Sequence, residues 1–309
     1  MTDVLITEFF APEGVTALSE DFDVLYNPEL GEDRSQLLNL VADSRSLVVR
    51  NLTRVDAELV AEAPGLEIVA RMGVGVDNID LETCAMSGVE VATGAGLNAT
   101  AVAEYVISAI LWLTRGLESA TARVVAGEWP RRAYIGHEVQ GRQLGLLGFG
   151  TIAREVATRA LGLGMNVIAH DPYITENSVW AAIAFVDMET LIRTSDVLSV
   201  HVPKTPETVG LIGASSVPRM KEGAVLINTS RGGVIDEPTV IEAVRSGHLG
   251  GAALDVFENE PVTPQGGLAF ESIPNLLLTP HIAGITAESE SRIATSLVAS
   301  IRQTLGSRS

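Results

Sequence analysis

Three polar residues stand just past apolar runs in the second half of the chain. Arg231 lies in TSRGG after AVLIN, Glu260 in ENEP after AALDVF, and His281 in LLLTPHIAG. Histidine titrates near working pH, so it can give or take a proton during a reaction. A carboxylate beside it holds one tautomer and favours the charged ring. An arginine forks onto a carboxylate and polarises a nearby carbonyl. Such a set suits proton transfer to the carbonyl oxygen of a small anionic substrate. Taken singly, His281 reads as a residue closing a strand, TSRGG as an ordinary turn and Glu260 as a solvated acid. Their grouping is what points to chemistry.

A second motif names a cofactor. LGLLGFGTIA sets Gly148, Gly150 and Ala153 in a G-x-G-x-x-A pattern. An apolar strand precedes it, and a helix carrying Val156, Ala157, Ala160 and Leu161 follows. The first glycine permits a tight turn, the second lets the backbone approach a pyrophosphate, and the third position must be small for helix–strand packing. Helix amides then face the phosphates. Asp171 comes 21 residues after Gly150, where a carboxylate would grip the adenosine ribose. It would also repel a 2′-phosphate, and PYITENS behind it holds no arginine, so NAD is expected over NADP.

The elements that must position these residues are short β-rich runs alternating with helical stretches. In the first hundred residues the runs are DVLIT, DVLY, SLVVR, LEIVAR and VEVAT, with helices expected at 33–43 and 55–63. Later come QLGLLG, NVIAHD, DVLSVHV, AVLINT, AALDVF and NLLLTP. Continuous apolar runs suit parallel strands covered on both faces, and alternation with helices means βαβ units. The expected fold is α/β, with two doubly wound parallel-sheet domains and a cleft between them: a Rossmann-type cofactor domain and a flavodoxin-like substrate domain. Val102, Val106, Ile110, Leu113, Leu117, Ala120 and Val124 recur at helical spacing across the junction. They predict one long helix, capped by Asn98 or Thr100 and closed by Gly127 and Pro130.

Ligands in open α/β sheets bind beyond the carboxyl ends of strands. In the first sheet Arg50 ends SLVVR and the loop RMGVGVDN follows LEIVA. Arg231, Glu260 and His281 end strands of the second. His201 also ends a strand, but without an evident chemical partner it reads as structural. Hydride transfer from a nicotinamide to a 2-keto acid needs a proton donor at the carbonyl oxygen and a cation for the carboxylate. His281 is the expected acid, Glu260 its support and Arg231 the cation. The glycines of 73–75 can offer amides to the same carboxylate.

Bulk properties narrow the partners. The 309 residues are 46% hydrophobic, enough for two cores. A net charge of −18 argues against nucleic acid and anionic membranes. The one cysteine, Cys84, excludes an internal disulfide and a cysteine zinc site and fits a reducing compartment; no metal is expected. MTDVLITEFFAPEG lacks the basic region of a signal peptide, and no apolar stretch is long enough to span a bilayer. The expectation is a cytoplasmic enzyme.

LGLLGFGTIA, AVLINTSRGGVIDE, GAALDVFENEP and LLLTPHIAG, in this order and spacing, resemble the D-isomer-specific 2-hydroxyacid dehydrogenase family over nearly the whole chain. LVVRN and RMGVGVDNID resemble the substrate loops of its phosphoglycerate dehydrogenase branch. The resemblance implies a catalytic Arg231, Glu260 and His281. It implies NAD contacts at Val74, Thr151, Ile152, Asp171, Val202, Thr229, Asp255 and Gly284, beside the glycines of the turn. Substrate contacts fall on Arg50, Asn51, Gly73, Val74, Gly75 and Arg231. It further implies a homodimer through the cofactor domains, with GEWPR at the interface. The substrate domain would be discontinuous, 1–97 with 285–309, around a cofactor domain of 98–284. Asn51 stands where the branch often has serine and Met72 where alanine is common, which counts against phosphoglycerate. The end at 309 leaves no room for the regulatory domain of some relatives. RNLTRVDAEL, GEWPR and IGHE are similar to sulfolactate dehydrogenases of the family. A sulfonate would want a second cation, for which Arg50, Arg131 and Arg132 are available. Sulfolactate/sulfopyruvate, hydroxypyruvate/glyoxylate and phosphoglycerate all stay open as substrates. So does a second class of function, an NADH-responsive corepressor-like scaffold of the same fold.

Overall fold

In the computed structural model, which describes residues 2–117, 119–174, 180 and 182–306, every strand pairing is parallel. The chain divides into one unit of Met1–Asn98 with Ile285–Ser309 and another of Ala99–Gly284.

The first unit is built on β1 (Thr2–Ile6), β2 (Val24–Tyr26), β3 (Ser44–Val49), β4 (Ile68–Arg71) and β5 (Glu90–Thr93), in the order β2-β1-β3-β4-β5. This is the flavodoxin-like order, whose direction switches between β1 and β3. Alternate side chains serve opposite faces. Val4, Ile6, Val48, Ile68 and Ala70 pack with the C-terminal helix Ala287–Leu305 through Ile293, Leu297 and Ile301. Leu5, Leu47, Val49 and Val69 pack on the other side with Leu37, Leu59 and Cys84. The C-terminal helix starts in a capping box, Thr286 with Ser289.

The second unit holds β6 (Gln143–Leu147), β7 (Asn166–His170), β8 (Ala184–Phe185), β9 (Val197–Val200), β10 (Ala224–Asn228), β11 (Leu249–Leu254) and β12 (Leu276–Leu278). Their order is β12-β11-β10-β9-β6-β7-β8. Its switch point lies between β6 and β9, the Rossmann arrangement. Leu144, Leu146, Val167, Val225, Ile227 and Ala253 face the helices Ala99–Arg115 and Thr151–Gly162. Leu198, Val200, Leu226, Ala252 and Leu254 face the helices at 188–194 and 237–245.

The single long helix expected across the junction is instead two. Ala99–Arg115 ends at Gly116, whose φ of 58° is a left-handed terminator, and a second helix runs Ala120–Val125. Gly127 (φ 79°) closes that second helix. No strand was expected at β8, because two residues carry no readable alternation. Residues 175–178 of the PYITENS segment lie outside the described residues. No helix among those described is long and apolar enough to cross a membrane.

Candidate active site

In the second unit the loops after β10, β11 and β12 converge. His281 Nδ1 lies 2.7 Å from Glu260 Oε2. The other Glu260 oxygen accepts the Phe257 N–H at 2.9 Å, which fixes the carboxylate. An ionised carboxylate only accepts, so Nδ1 donates and Nε2 is the nitrogen left for proton exchange. Arg231 follows β10 in a turn organised by Asn228, whose side chain takes Ser230 N–H and hydroxyl and donates to the Arg231 carbonyl. A Cβ on Gly232 would lie 1.6 Å from the Phe257 carbonyl oxygen. Only glycine lets the Arg231 turn press this closely on the backbone leading to Glu260.

His281 has φ 56°, a left-handed conformation uncommon outside glycine. Asp255 holds it there. The Asp255 carbonyl accepts the His281 N–H at 2.8 Å. Its carboxylate, 1% exposed, accepts Thr279 Oγ1 at 2.6 Å and the Ile282 and Ala283 N–H groups, each at 2.8 Å. Tyr105 supports Thr279 in turn at 2.5 Å. Burial pushes the Asp255 carboxyl up, against these hydrogen bonds and the nearby His281. A strained residue on an over-determined loop is the arrangement expected where side-chain aim matters.

The turn after β6 fits a dinucleotide. Gly148 has φ 85°, and a Cβ there would lie 3.0 Å from the His201 backbone and Val202 Cγ1. Beyond Gly150 a Cβ would meet nothing within 4 Å, so the backbone is open to a ligand. Gly150 caps the helix Thr151–Gly162 without a side-chain bond, leaving the amides of Thr151 and Ile152 uncapped by any side chain. Ala153 is fully buried against the sheet. Asp171 directly follows β7 and receives the N–H groups of Phe149 and Tyr173, each at 2.9 Å, which ties it to the glycine turn. Thr229 Oγ1 is buried with no partner, an orphan that a bound group would satisfy. Gly284 closes the unit after the His281 loop. His201, bonded to Ser199 Oγ at 2.9 Å, is pushed down to about 4 by burial and is neutral at physiological pH, as a structural histidine should be. Arg131 and Arg132 stand exposed on a short 3-10 turn. No cluster of metal-ligating side chains occurs among the described residues.

In the first unit the loops after β1, β3 and β4 meet at the switch point. Glu8, buried after β1, accepts four backbone N–H groups: Arg50 and Thr53 on Oε1, Asn51 and Leu52 on Oε2, at 2.8–3.0 Å. Asn78 donates to the carbonyls of Arg50 and Thr53 from the neighbouring loop. Arg50 pairs with Glu290 of the C-terminal helix in a fork of 2.8 and 3.2 Å and lies over the Phe9 ring. Gly73 (φ 148°) leaves room for the Arg71 guanidinium, which a Cβ would overlap at 1.5 Å; Val74 and Gly75 continue this half-buried loop. Sequence reasoning missed Glu8, Asn78, Gly232, Thr279, Tyr105 and Glu290. Glu8 offered at most its place, an acid at a strand's carboxyl end, with nothing local to point to its partners on the loop after β3.

Comparison with known proteins agrees with this geometry. The family model described as D-isomer specific 2-hydroxyacid dehydrogenase, NAD binding domain, matches residues 107–283. An (S)-sulfolactate dehydrogenase of Chromohalobacter salexigens is 46% identical over 310 residues, covering all of both chains. A D-3-phosphoglycerate dehydrogenase of Archaeoglobus fulgidus is 38% identical over 93% of this chain and 54% of its own, so the chain spans about half the length of that relative. The crystal structure of D-lactate dehydrogenase from Aquifex aeolicus complexed with NAD and lactic acid superposes with a TM-score of 0.86 at 28% identity, covering 98% of this chain and 95% of that one. The chain belongs to the D-isomer specific 2-hydroxyacid dehydrogenase family and is an NAD-dependent oxidoreductase acting on the CH–OH group of 2-hydroxy acids.

Proposed function

We propose that the protein interconverts a small anionic 2-keto acid and its D-type 2-hydroxy acid with His281 as the acid and base. The observation that carries this reading is the 2.7 Å contact of His281 Nδ1 with a Glu260 carboxylate anchored on Phe257 N–H. Bound NADH supplies the hydride that adds to C2. His281 Nε2 gives its proton to the carbonyl oxygen as charge develops there, and Glu260 stabilises the imidazolium before transfer. Arg231 forks onto the substrate carboxylate. Asp171, Thr229, Val202, Asp255, Gly284, Val74 and the Gly148–Ile152 turn hold the cofactor. Val74 and Gly75 offer amides to the carboxylate, the Gly73 N–H expected to join them being taken by the Arg71 carbonyl at 2.8 Å, and Arg50 and Asn51 meet the rest of the substrate.

Sulfopyruvate, hydroxypyruvate and glyoxylate are the substrates this reading favours. The 46% identity to a sulfolactate dehydrogenase supports the first. We place the enzyme in the cytoplasm, in keeping with its one buried, free cysteine. A homodimer through the cofactor unit would cover the apolar residues exposed between 117 and 135, among them Val125, Trp129 and Ile135, each at least three-quarters exposed. The test is NADH oxidation with sulfopyruvate, hydroxypyruvate, glyoxylate and phosphohydroxypyruvate, with the product's configuration determined. Brisk turnover of one of them to a D-type acid supports the assignment. No turnover of any 2-keto acid would overturn it.

A further inference from the structure

The loop after β3 owns two devices for binding an anion: four consecutive backbone amides, Arg50 to Thr53, and the Arg50 guanidinium. Both are already taken by carboxylates of the chain itself. Glu8 accepts all four amides. Glu290 takes the guanidinium in a two-point fork, with the Arg50 and Glu290 side chains 19% and 16% exposed. The Arg50 guanidinium carbon also lies over the Phe9 ring, 5.7 Å from its centroid, which restricts it further. An incoming anion therefore meets a neutralised pair rather than an open cation. Asn51, exposed on the same loop, presents a neutral carboxamide.

We propose that Glu290 is a specificity-determining residue that sets how much negative charge the substrate may carry on its C3 end. The inference rests on the reading that Arg50 and Asn51 meet that end of a 2-keto acid. With Glu290 ionised, each negative charge brought near Arg50 also approaches a fixed carboxylate. A phosphate dianion is repelled about twice as strongly as a sulfonate monoanion, and a hydroxymethyl group not at all. Bidentate geometry and burial keep Glu290 on Arg50 while the tail approaches, so the tail meets both charges. The site accordingly selects neutral or singly charged tails over phosphate.

Replacing Glu290 with Gln keeps the shape and removes the charge. The readout is kcat/KM for phosphohydroxypyruvate and for sulfopyruvate, each divided by that for hydroxypyruvate in the same variant. The ratios should rise by roughly fivefold per unit of tail charge, and so about twice as far on a logarithmic scale for phosphate as for sulfonate. High salt should shrink both gains. Arg50→Gln, which removes the cation and leaves Glu290, should move both ratios the opposite way and so guards against misreading a folding defect. Unchanged ratios in Glu290→Gln, with turnover intact, would overturn this role and leave the dehydrogenase reading standing. Failure of the unsubstituted enzyme on all three of these acids would overturn this role, and failure on every 2-keto acid, glyoxylate included, would overturn both.

Discussion

Replacing Glu8 with Gln should cost about 3 kcal/mol of stability in the first unit, and the loss can be localised to four amides. The carboxylate holds Arg50 and Thr53 N–H on one oxygen and Asn51 and Leu52 N–H on the other. A glutamine keeps one accepting oxygen and turns an NH2 toward the other two donors. Hydrogen bonds to a charged group are worth roughly 1.5–3 kcal/mol each, so two lost bonds span about 3–6 kcal/mol. The Asn51 and Leu52 side faces solvent, where water can replace part of the loss, which favours the low end. A pH signature accompanies it. Burial pushes the Glu8 carboxyl up, but the four amides together outweigh burial and hold it below the usual carboxylate range. Its stabilisation is therefore present above the unfolded-state value and is lost as pH falls through the folded one. The acid limb of the stability profile should be shallower in the variant. Amide hydrogen exchange gives the direct reading: residues 50–53 should exchange roughly 100-fold faster in the variant, in line with about 3 kcal/mol. Unchanged protection at these four amides would refute the reasoning.

Three further outcomes follow from the second unit. His201 is pushed down to about 4, so the unfolded chain takes up its proton first and stability should fall as pH drops from about 6.5 toward 4; His201→Gln should flatten that part of a urea-denaturation series. Gly232→Ala would set a Cβ 1.6 Å from the Phe257 carbonyl, and should lower kcat/KM by at least ~100-fold or reduce the folded yield, read by turnover and circular dichroism together. Asp171→Ser should raise the KM for NADH by roughly tenfold while narrowing its preference over NADPH, measured by parallel kinetics with the two cofactors.

Much of this was legible because strands buried on both faces announce themselves. DVLIT, SLVVR, AVLINT and AALDVF are runs that only a covered parallel sheet can use; the first three became most of a strand, and AALDVF supplied the last three residues of β11. The glycine turn was readable because its steric demands fall on three positions of a six-residue stretch, Gly148 to Ala153. Gly116 was not, since a left-handed glycine inside an apolar 3.6-residue rhythm looks like a tolerated helical residue until its φ is known. Glu8 and Glu290 escaped for a different reason. Their partners lie 42–45 and 240 residues away, and ITEFF and AESES look like an ordinary strand end and an acidic helix start. Tyr105 and Thr279 likewise meet across 174 residues. Chemistry at strand ends follows from topology, whereas the groups that aim it are chosen by packing that no local pattern records.

The central claim is that His281 delivers the proton, and His281→Ala tests it most directly. With the best 2-keto acid of the panel saturating, kcat should fall by roughly 100-fold or more, the order expected for loss of a positioned general acid. NADH affinity, read from quenching of intrinsic fluorescence, should change by less than about threefold, because the glycine turn and Asp171 stand on other loops. Turnover within a few-fold of the unsubstituted enzyme, with NADH bound equally well, would contradict the account.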